Sequence, residues 1–463
     1  MRYDGTSRFR RGSRWQLSPS FSLGWNIAQE EFWKPIENIA NLLKVRFSYG
    51  ELGNQNINNW YPTYRTISIG SLNGDWLQNG LSPNTSSVGG LINTALTWEK
   101  VRTWDVGVDY GLFNNRLTGS FDYFVRFTEG MVGPSAELPA TLGISTPSSN
   151  NSDLRTKGWE VSIGWKDRLK NGLGYGINLS LSDQITMIDS YPDNKTLSID
   201  SYLPGYKDGL IWGYETIGIT KSDEEMQAHL ASLPKGGQDA VGSQWAAGDI
   251  MYKDLNGDGK ISEGARTLGD HGDLKILGDT YSHYFFGIDL NADWKGFDFR
   301  AFFQGVLKHD YWGSGNFTGM LFGVRGGYSR WHTRGFKQHE DYFRAEPAGL
   351  EGHELPANLD SYYPRPIFSD SSDGTSFGAK NQKVQSRYVQ DASYIRLKNL
   401  QFGYTLPAKF TNKFGINRLR IFVSGENVWT GTGLTKLFDP ETISGGNGAV
   451  SYTHLTLPTI CSV

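Results

Sequence analysis

Long hydrophobic runs are missing from this chain. No stretch of about 18 consecutive apolar residues occurs, which excludes a membrane-spanning helix, and only 38% of the 463 residues are hydrophobic. A transmembrane barrel is untouched by that exclusion, because its strands hide their polar halves inside and keep the average hydropathy low. Cysteine is nearly absent as well. Cys461 stands alone, so there is no disulfide framework and no cysteine-based metal site. The opening MRYDGTSRFRR lacks the apolar centre of a secretory signal. An outer-membrane protein needs such a signal, so on a membrane reading Met1 is expected to lie inside a longer chain. A net charge of −3 argues against nucleic acid as the main partner. Catalytic patterns are missing too: His271, His283, His309, His332 and His339 are scattered without HExxH spacing, and no GxSxG turn or Gly-rich phosphate loop occurs. The chain therefore reads as a non-enzyme.

What is present is glycine, 57 residues of it, and aromatics at 14%. They are set in alternating strands. In Thr103 to Phe127, the residues Trp104, Val106, Val108, Tyr110 and Leu112 share one face, and Asp105, Gly107, Asp109 and Gly111 the other. Asn114 and Asn115 turn the chain, and Leu117, Gly119, Phe121, Tyr123, Val125 and Phe127 then alternate with polar residues. This is a hairpin of two strands with one apolar side. Each arm holds roughly 9 to 11 residues, enough to cross a bilayer at a tilt.

The same pattern recurs at Trp15 to Ile27, Leu43 to Tyr49, Trp159 to Lys166, Tyr175 to Ser182, Phe286 to Trp294, Phe297 to Phe303, Tyr394 to Leu406 and Leu419 to Asn427. Between these strands, tight connections alternate with long polar ones: Gly53 to Ala95, Gly130 to Thr156, Asp189 to Asp279 and Lys308 to Asp391. A membrane barrel sorts its loops in this way, short on the periplasmic side and long outside, whereas a soluble sandwich has no reason to. Aromatics fall at both strand ends, with Trp25, Tyr110, Trp165 and Trp294 beside the short turns and Trp15, Trp104, Trp159 and Tyr284 beside the long loops. Interfacial girdles need that arrangement. The expected fold is all-β: an antiparallel transmembrane β-barrel, partial, with about 10 or 11 of roughly 22 strands.

Several stretches resemble one family, the SusC/RagA-type TonB-dependent outer-membrane transporters. They are RYDGTSRF at Arg2, SPSFSLGWNIAQEEF at Ser18, LKVRFSYGELGNQNI at Leu43, LTWEKVRTWDVGVDYGLFNNRLTGSFDYF at Leu96, KGWEVSIGW at Lys157, GDIMYKDLNGDGKI at Gly248, WKGFDFRAFFQG at Trp294 and SYIRLKNLQFGYTLP at Ser393. The resemblance implies import of oligosaccharides or peptides across the outer membrane, with a SusD-like surface lipoprotein as lid and TonB supplying energy. It also implies that residues 1–449 form the C-terminal part of the barrel, set in outer-membrane lipid, and that an N-terminal extension, plug and early strands precede them in complete members. From Val450 the chain departs from the family. VSYTHLTLPT, Val450 to Thr459, is what a transposase-type sequencing adapter encodes, so residues 450–463 are expected to be read-through rather than native protein. Alternatives to the importer are a passive porin and a soluble or surface-anchored all-β carbohydrate-binding protein.

One local motif stands out. Asp254, Asn256 and Asp258 occupy positions one, three and five of a calcium-type loop, with Gly259 at six and the Lys260 carbonyl at seven. Position twelve is Ala265, so the usual bidentate Glu is missing, which leaves Glu263 or Asp270 as its substitute. Calcium binding and a plain Asx/Gly turn both fit. The loop aromatics Trp60, Tyr61, Trp76, Trp212, Tyr214, Tyr311, Trp312 and Trp331 are candidates for substrate or lid contact, since such rings suit sites with one apolar face and one wet edge. The alternative for each is packing its loop onto itself. Ser222 and Glu225, three apart, predict a capped helix to Leu230 within the third loop.

Overall fold

The computed structural model describes all residues except 56, 58, 71–76, 136–138, 145, 314–336, 350, 368–379 and 444–463. The expected read-through segment lies outside the described residues. Contacts divide the chain into two compact units: residues 1–208, 283–306 and 395–430, and residues 209–282, 307–394 and 431–463.

The first unit is built on a ten-stranded sheet. Its strands are β1 (Ser20–Asn26), β2 (Ala40–Asn54), β3 (Glu99–Leu112), β4 (Leu117–Pro134), β5 (Ser148–Arg168), β6 (Gly174–Ser190), β7 (His283–Trp294), β8 (Phe297–Lys308), β9 (Tyr394–Thr405) and β10 (Arg420–Thr432). Each lies beside its neighbours in sequence, with β1 and β10 at the two edges. The tight turns have the expected chemistry. Phe113, Asn114 and Asn115 adopt positive φ between β3 and β4, and Lys295 (φ 48°) with Gly296 (φ 92°) makes the two-residue turn between β7 and β8.

Register shows why the apolar stripes matter. Residues opposite one another in an antiparallel pair share a face. Trp25 opposes Val45, Val45 opposes Val108, Val108 opposes Phe121, Phe121 opposes Val161, Val161 opposes Leu181 and Leu181 opposes Phe286. One apolar row thus crosses seven strands. None of its members is buried: Trp25 and Phe121 are exposed and Val45, Val108, Val161, Leu181 and Phe286 half-buried, and on the same face Leu23, Val106, Ile163 and Leu179 are exposed. A soluble sandwich would bury such a row against a second layer.

Two expectations about extent change. The stretch from Trp15 to Ile27 is not one strand: Trp15–Ser18 pairs with Arg2–Gly5, and β1 begins at Ser20 in the large sheet. Pro19 is the break, since it has no N–H to donate to a ladder; its carbonyl still accepts from Glu51 N at 2.9 Å. The stretch from Gly130 to Thr156 is mostly strand. β4 has 18 residues and β5 has 21, and only residues 135–147 connect them. At about 3.3 Å per residue β5 extends roughly 70 Å, well beyond a bilayer. The sequence looks like loop there because alternation of apolar residues ends where lipid would end. Polar side chains carry the extension, with Asn150 Nδ2 donating to the Thr97 and Gly130 carbonyls and Gly130 N donating to Asp153.

The second unit has its own core, in which Tyr252, Tyr388, Met226, Ile250 and Ile261 are fully buried. Short strand pairs frame it: Leu210–Tyr214 with Leu274–Asp279, Thr216–Ile219 with Ile250–Tyr252, and Asp310–Tyr311 with Gln390–Asp391. The predicted helix is α1 (Asp223–Ala231). Glu225 N donates to Ser222 Oγ at 3.2 Å and Lys221 N donates to Glu225 Oε2.

Candidate functional site

The polar face of the sheet carries a repeated device. Arg46 on β2 bonds Asp109 on β3 at 2.9 Å and reaches across β3 to Asp122 on β4, also at 2.9 Å. Gly107 lies between them, where a Cβ would collide with both side chains. Arg168 on β5 reaches over Gly174 on β6 to Asp293 on β7 at 2.8 Å. Arg420 on β10 reaches over Gly403 on β9 to Asp298 on β8 at 2.5 Å, and a Cβ on Gly403 would stand 2.6 Å from Arg420 Nη2. Neighbouring strands are about 4.8 Å apart. An ion pair that skips a strand must therefore lie flat over the strand it skips, and only glycine leaves that room. Arg300 with Asp289 extends the charged lining, whereas Arg102 with Glu51 and Glu129 lies on the other face, beyond the apolar residues at the long-loop end. Phe124 also falls on this face, in the space left by Gly158. The arrangement makes a wet, hydrogen-bonding wall whose cations and anions neutralise one another.

In the second unit one charged cluster is hidden. Asp249 and Lys380 are both fully buried and bond at 2.7 Å. Arg365 Nε donates to Asp249 at 2.8 Å, as does Asn381 Nδ2. Lys380 also donates to the carbonyls of Ser243 and Gln244 and lies 4.6 Å from the Trp245 ring centroid. Burial pushes the Asp249 carboxyl upward, but the bonds from Arg365, Lys380 and Asn381 outweigh it and hold the group below its ordinary value. Burial holds Lys380 below the usual ammonium value, with Asp249 opposing. Three chain segments meet at this knot.

The calcium-type loop is turned inward on its own backbone. Asp254 Oδ1 accepts from Gly257 N at 2.7 Å and Oδ2 from Gly259 N at 2.9 Å. Asn256 accepts from Asp258 N and Asp258 from Lys260 N. The buried Asp273 accepts from Leu255 N and Ser262 N, each at 2.8 Å. Burial raises the Asp273 carboxyl while these N–H groups pull it back. Asp270 accepts from Ala265 N, and Glu263 is paired with Arg266 and Lys383. Among the described residues no group of three or more His, Cys, Asp or Glu is placed to hold a metal ion.

The loop aromatics are scattered over both units. Trp60 is 70% exposed, with Arg8 over its ring at 4.3 Å. Trp212 leans on His271 at 5.5 Å between centroids. Tyr214 is 2% exposed and packs on Tyr252 at 4.9 Å, so its ring belongs to the interior of its unit. Tyr311 is buried against Phe438, and Trp312 is half-buried. Trp76 and Trp331 lie outside the described residues. Sequence reasoning missed the glycine-gapped ion pairs; the signal available was a glycine recurring on the polar face of strands that also carry Arg or Asp there.

An antiparallel meander with an uncovered apolar face, a charged reverse and sorted connections defines a piece of transmembrane β-barrel wall. The family model described as "TonB dependent receptor-like, beta-barrel" matches residues 1–257, and the chain belongs to that family, one of transporters rather than enzymes. The chain is 29% identical over 444 residues to TonB-dependent receptor P3 of Formosa agariphila, covering 93% of this chain and 39% of that protein. It is 27% identical to TonB-dependent receptor SusC of Bacteroides thetaiotaomicron over 67% of this chain and 30% of that protein. The solved structure titled "Structure of the RagAB peptide transporter" superposes with a TM-score of 0.66 at 19% identity, over 95% of this chain and 42% of that one, which shows the fold. The SusC/RagA-type resemblance therefore stands. This chain spans about two-fifths of the length of the full-span relatives.

Proposed function

We propose that this chain is barrel wall and outer loop of a TonB-dependent importer that takes oligosaccharides or peptides through the bacterial outer membrane, with a SusD-like lipoprotein as its outer lid. TonB would act through the part of the relatives' length not matched here. One observation carries the reading: the apolar row that crosses seven strands is left open, each member exposed or half-buried, while the opposite face is a polar lining of Arg–Asp pairs. Exposed apolar area of that extent costs free energy in water and none against acyl chains. A soluble carbohydrate-binding protein would have to cover it. SusC and RagAB among the matches favour the lidded importer over a passive porin.

The test is fractionation and uptake with the gene in its host. The complete product should sediment with outer membranes and migrate faster in unboiled than in boiled gels. Its deletion should abolish growth on one glycan or peptide source, as should loss of TonB. A product recovered in the soluble fraction without detergent, or uptake indifferent to TonB, would contradict the reading.

A further inference from the structure

Arg8, Arg10, Arg11 and Arg14 fall in the loop that joins strands Arg2–Gly5 and Trp15–Ser18, and no Asp or Glu lies between Thr6 and Trp15. The loop is pinned rather than loose. Phe9 is fully buried in a core with Leu96 and Trp98, its ring 6.0 Å from that of Trp98, whose Nε1 donates to the Arg14 carbonyl at 3.1 Å. Three of these guanidinium groups, and that of Arg65 nearby, are held by carbonyls: Arg8 by Gln55 and Ile57, Arg10 by Thr63, Arg14 by Phe9 and Arg65 by Gly89. Carbonyls orient a cation without neutralising it. Among the described residues no carboxylate pairs with any of these five arginines, unlike those of the sheet's polar face. Against them stand Trp60, Tyr61 and Tyr64, exposed by 70%, 60% and 47%. Arg8 lies over Trp60, Arg10 lies 5.9 Å from the Tyr64 centroid, and Tyr61 meets Tyr64 edge to face.

From this placement we infer that the arginine–aromatic surface at the long-loop end of the sheet binds an anionic saccharide, a chain of sugar rings bearing carboxylate or sulfate groups. The inference rests on the import reading and narrows its substrate class. Flat, exposed rings accept the C–H face of a sugar, and guanidinium forks accept a planar carboxylate or a sulfate in two-point contact. A peptide is gripped by pockets or along a strand edge; this surface offers forked cations and flat rings instead.

The test uses the complete receptor in detergent, titrated calorimetrically with hexagalacturonate, its fully methyl-esterified form and hexaglutamate. Hexagalacturonate should bind at least about tenfold more tightly than the ester at low salt, and the gap should narrow as salt screens the charges. The exposed triple variant Arg10→Gln, Arg11→Gln, Arg65→Gln should lose that preference while keeping the ester's affinity, and Trp60→Ala should weaken both sugars. Unchanged heat-modifiable migration confirms that the variants are folded. Equal affinity for acid and ester, a preference that survives the triple variant, or tighter binding of hexaglutamate would each overturn the inference. None of these touches the import reading, which fails separately if cells carrying the receptor show no TonB-dependent uptake of any saccharide or peptide.

Discussion

The two units treat apolar and charged groups in opposite ways. In the sheet unit, Leu23, Ile421 and Val423 are more than half exposed, and the ion pairs that line its polar face remain partly open to solvent. In the loop unit, Ile250, Tyr252 and Tyr388 have no exposed surface, and the Asp249–Lys380 pair is sealed inside. The loop unit follows the ordinary rule for a protein in water. The sheet unit follows the rule for a wall with lipid on one side and water on the other. One chain thus holds two solvents' worth of folding logic, and substitutions should sort accordingly.

The largest effect is expected at the buried knot. Asp249→Asn leaves the Lys380 ammonium and the Arg365 guanidinium without their anion in a dry site, and should destabilise the loop unit by about 3–5 kcal/mol, read as lowered thermal stability with earlier proteolysis between α1 and β7. Next comes the lipid face. Phe121→Arg, in the apolar row on β4, should cost about 2–4 kcal/mol of barrel stability in bilayers. A conventional surface substitution would be near neutral, so a negligible loss there would place that face in water. Gly403→Val should break the Asp298–Arg420 pair by occupying the space over which it lies, with a loss of about 1–3 kcal/mol; Arg420→Gln in the same background should add little, because the pair is already gone. At the cap, Ser222→Ala should cost α1 about 1 kcal/mol.

Acid sharpens the same contrast. The folded Asp249 carboxyl is held below its ordinary 3.8, so its contribution is fully present above that value and is lost as pH falls through the lower folded value. Trp245 fluorescence should report loosening of the loop unit only below about the ordinary carboxylate range, and Asp249→Asn should abolish that step.

Much of the sheet was legible because lipid imposes an uninterrupted stripe, and a period of two is readable wherever one side is apolar. Every strand centre follows from it, as do the turns at Asn114–Asn115 and Lys295–Gly296. What escaped lies where that demand stops. Pro19 divides a stretch whose side chains alternate perfectly, since alternation reports faces and not ladder donors. The upper halves of β4 and β5 leave the lipid and lose their pattern while remaining strand. The Arg46–Asp122 pair joins residues 76 apart in sequence across an intervening strand, and Asp249, Arg365 and Lys380 come from three segments, so neither is visible until the register is known. In the loops, the turn chemistry of Asp254 to Lys260 was readable from its Asp, Asn and Gly spacing. By contrast, the burial of Tyr214 and the exposure of Trp60 were not, because a ring's type does not say which side of its own loop it takes.

The central claim is sidedness, and spin labels on adjacent residues test it most directly. In the complete receptor in bilayers, lacking Cys461, cysteines placed singly at Asp105, Val106, Asp109, Phe121, Asn178 and Leu179 would be labelled and probed with oxygen and with a water-soluble nickel chelate. The account predicts that Val106→Cys, Phe121→Cys and Leu179→Cys meet oxygen, and that Asp105→Cys, Asp109→Cys and Asn178→Cys meet nickel. Equal nickel access on both faces, or protection of the apolar set from both probes, would contradict it.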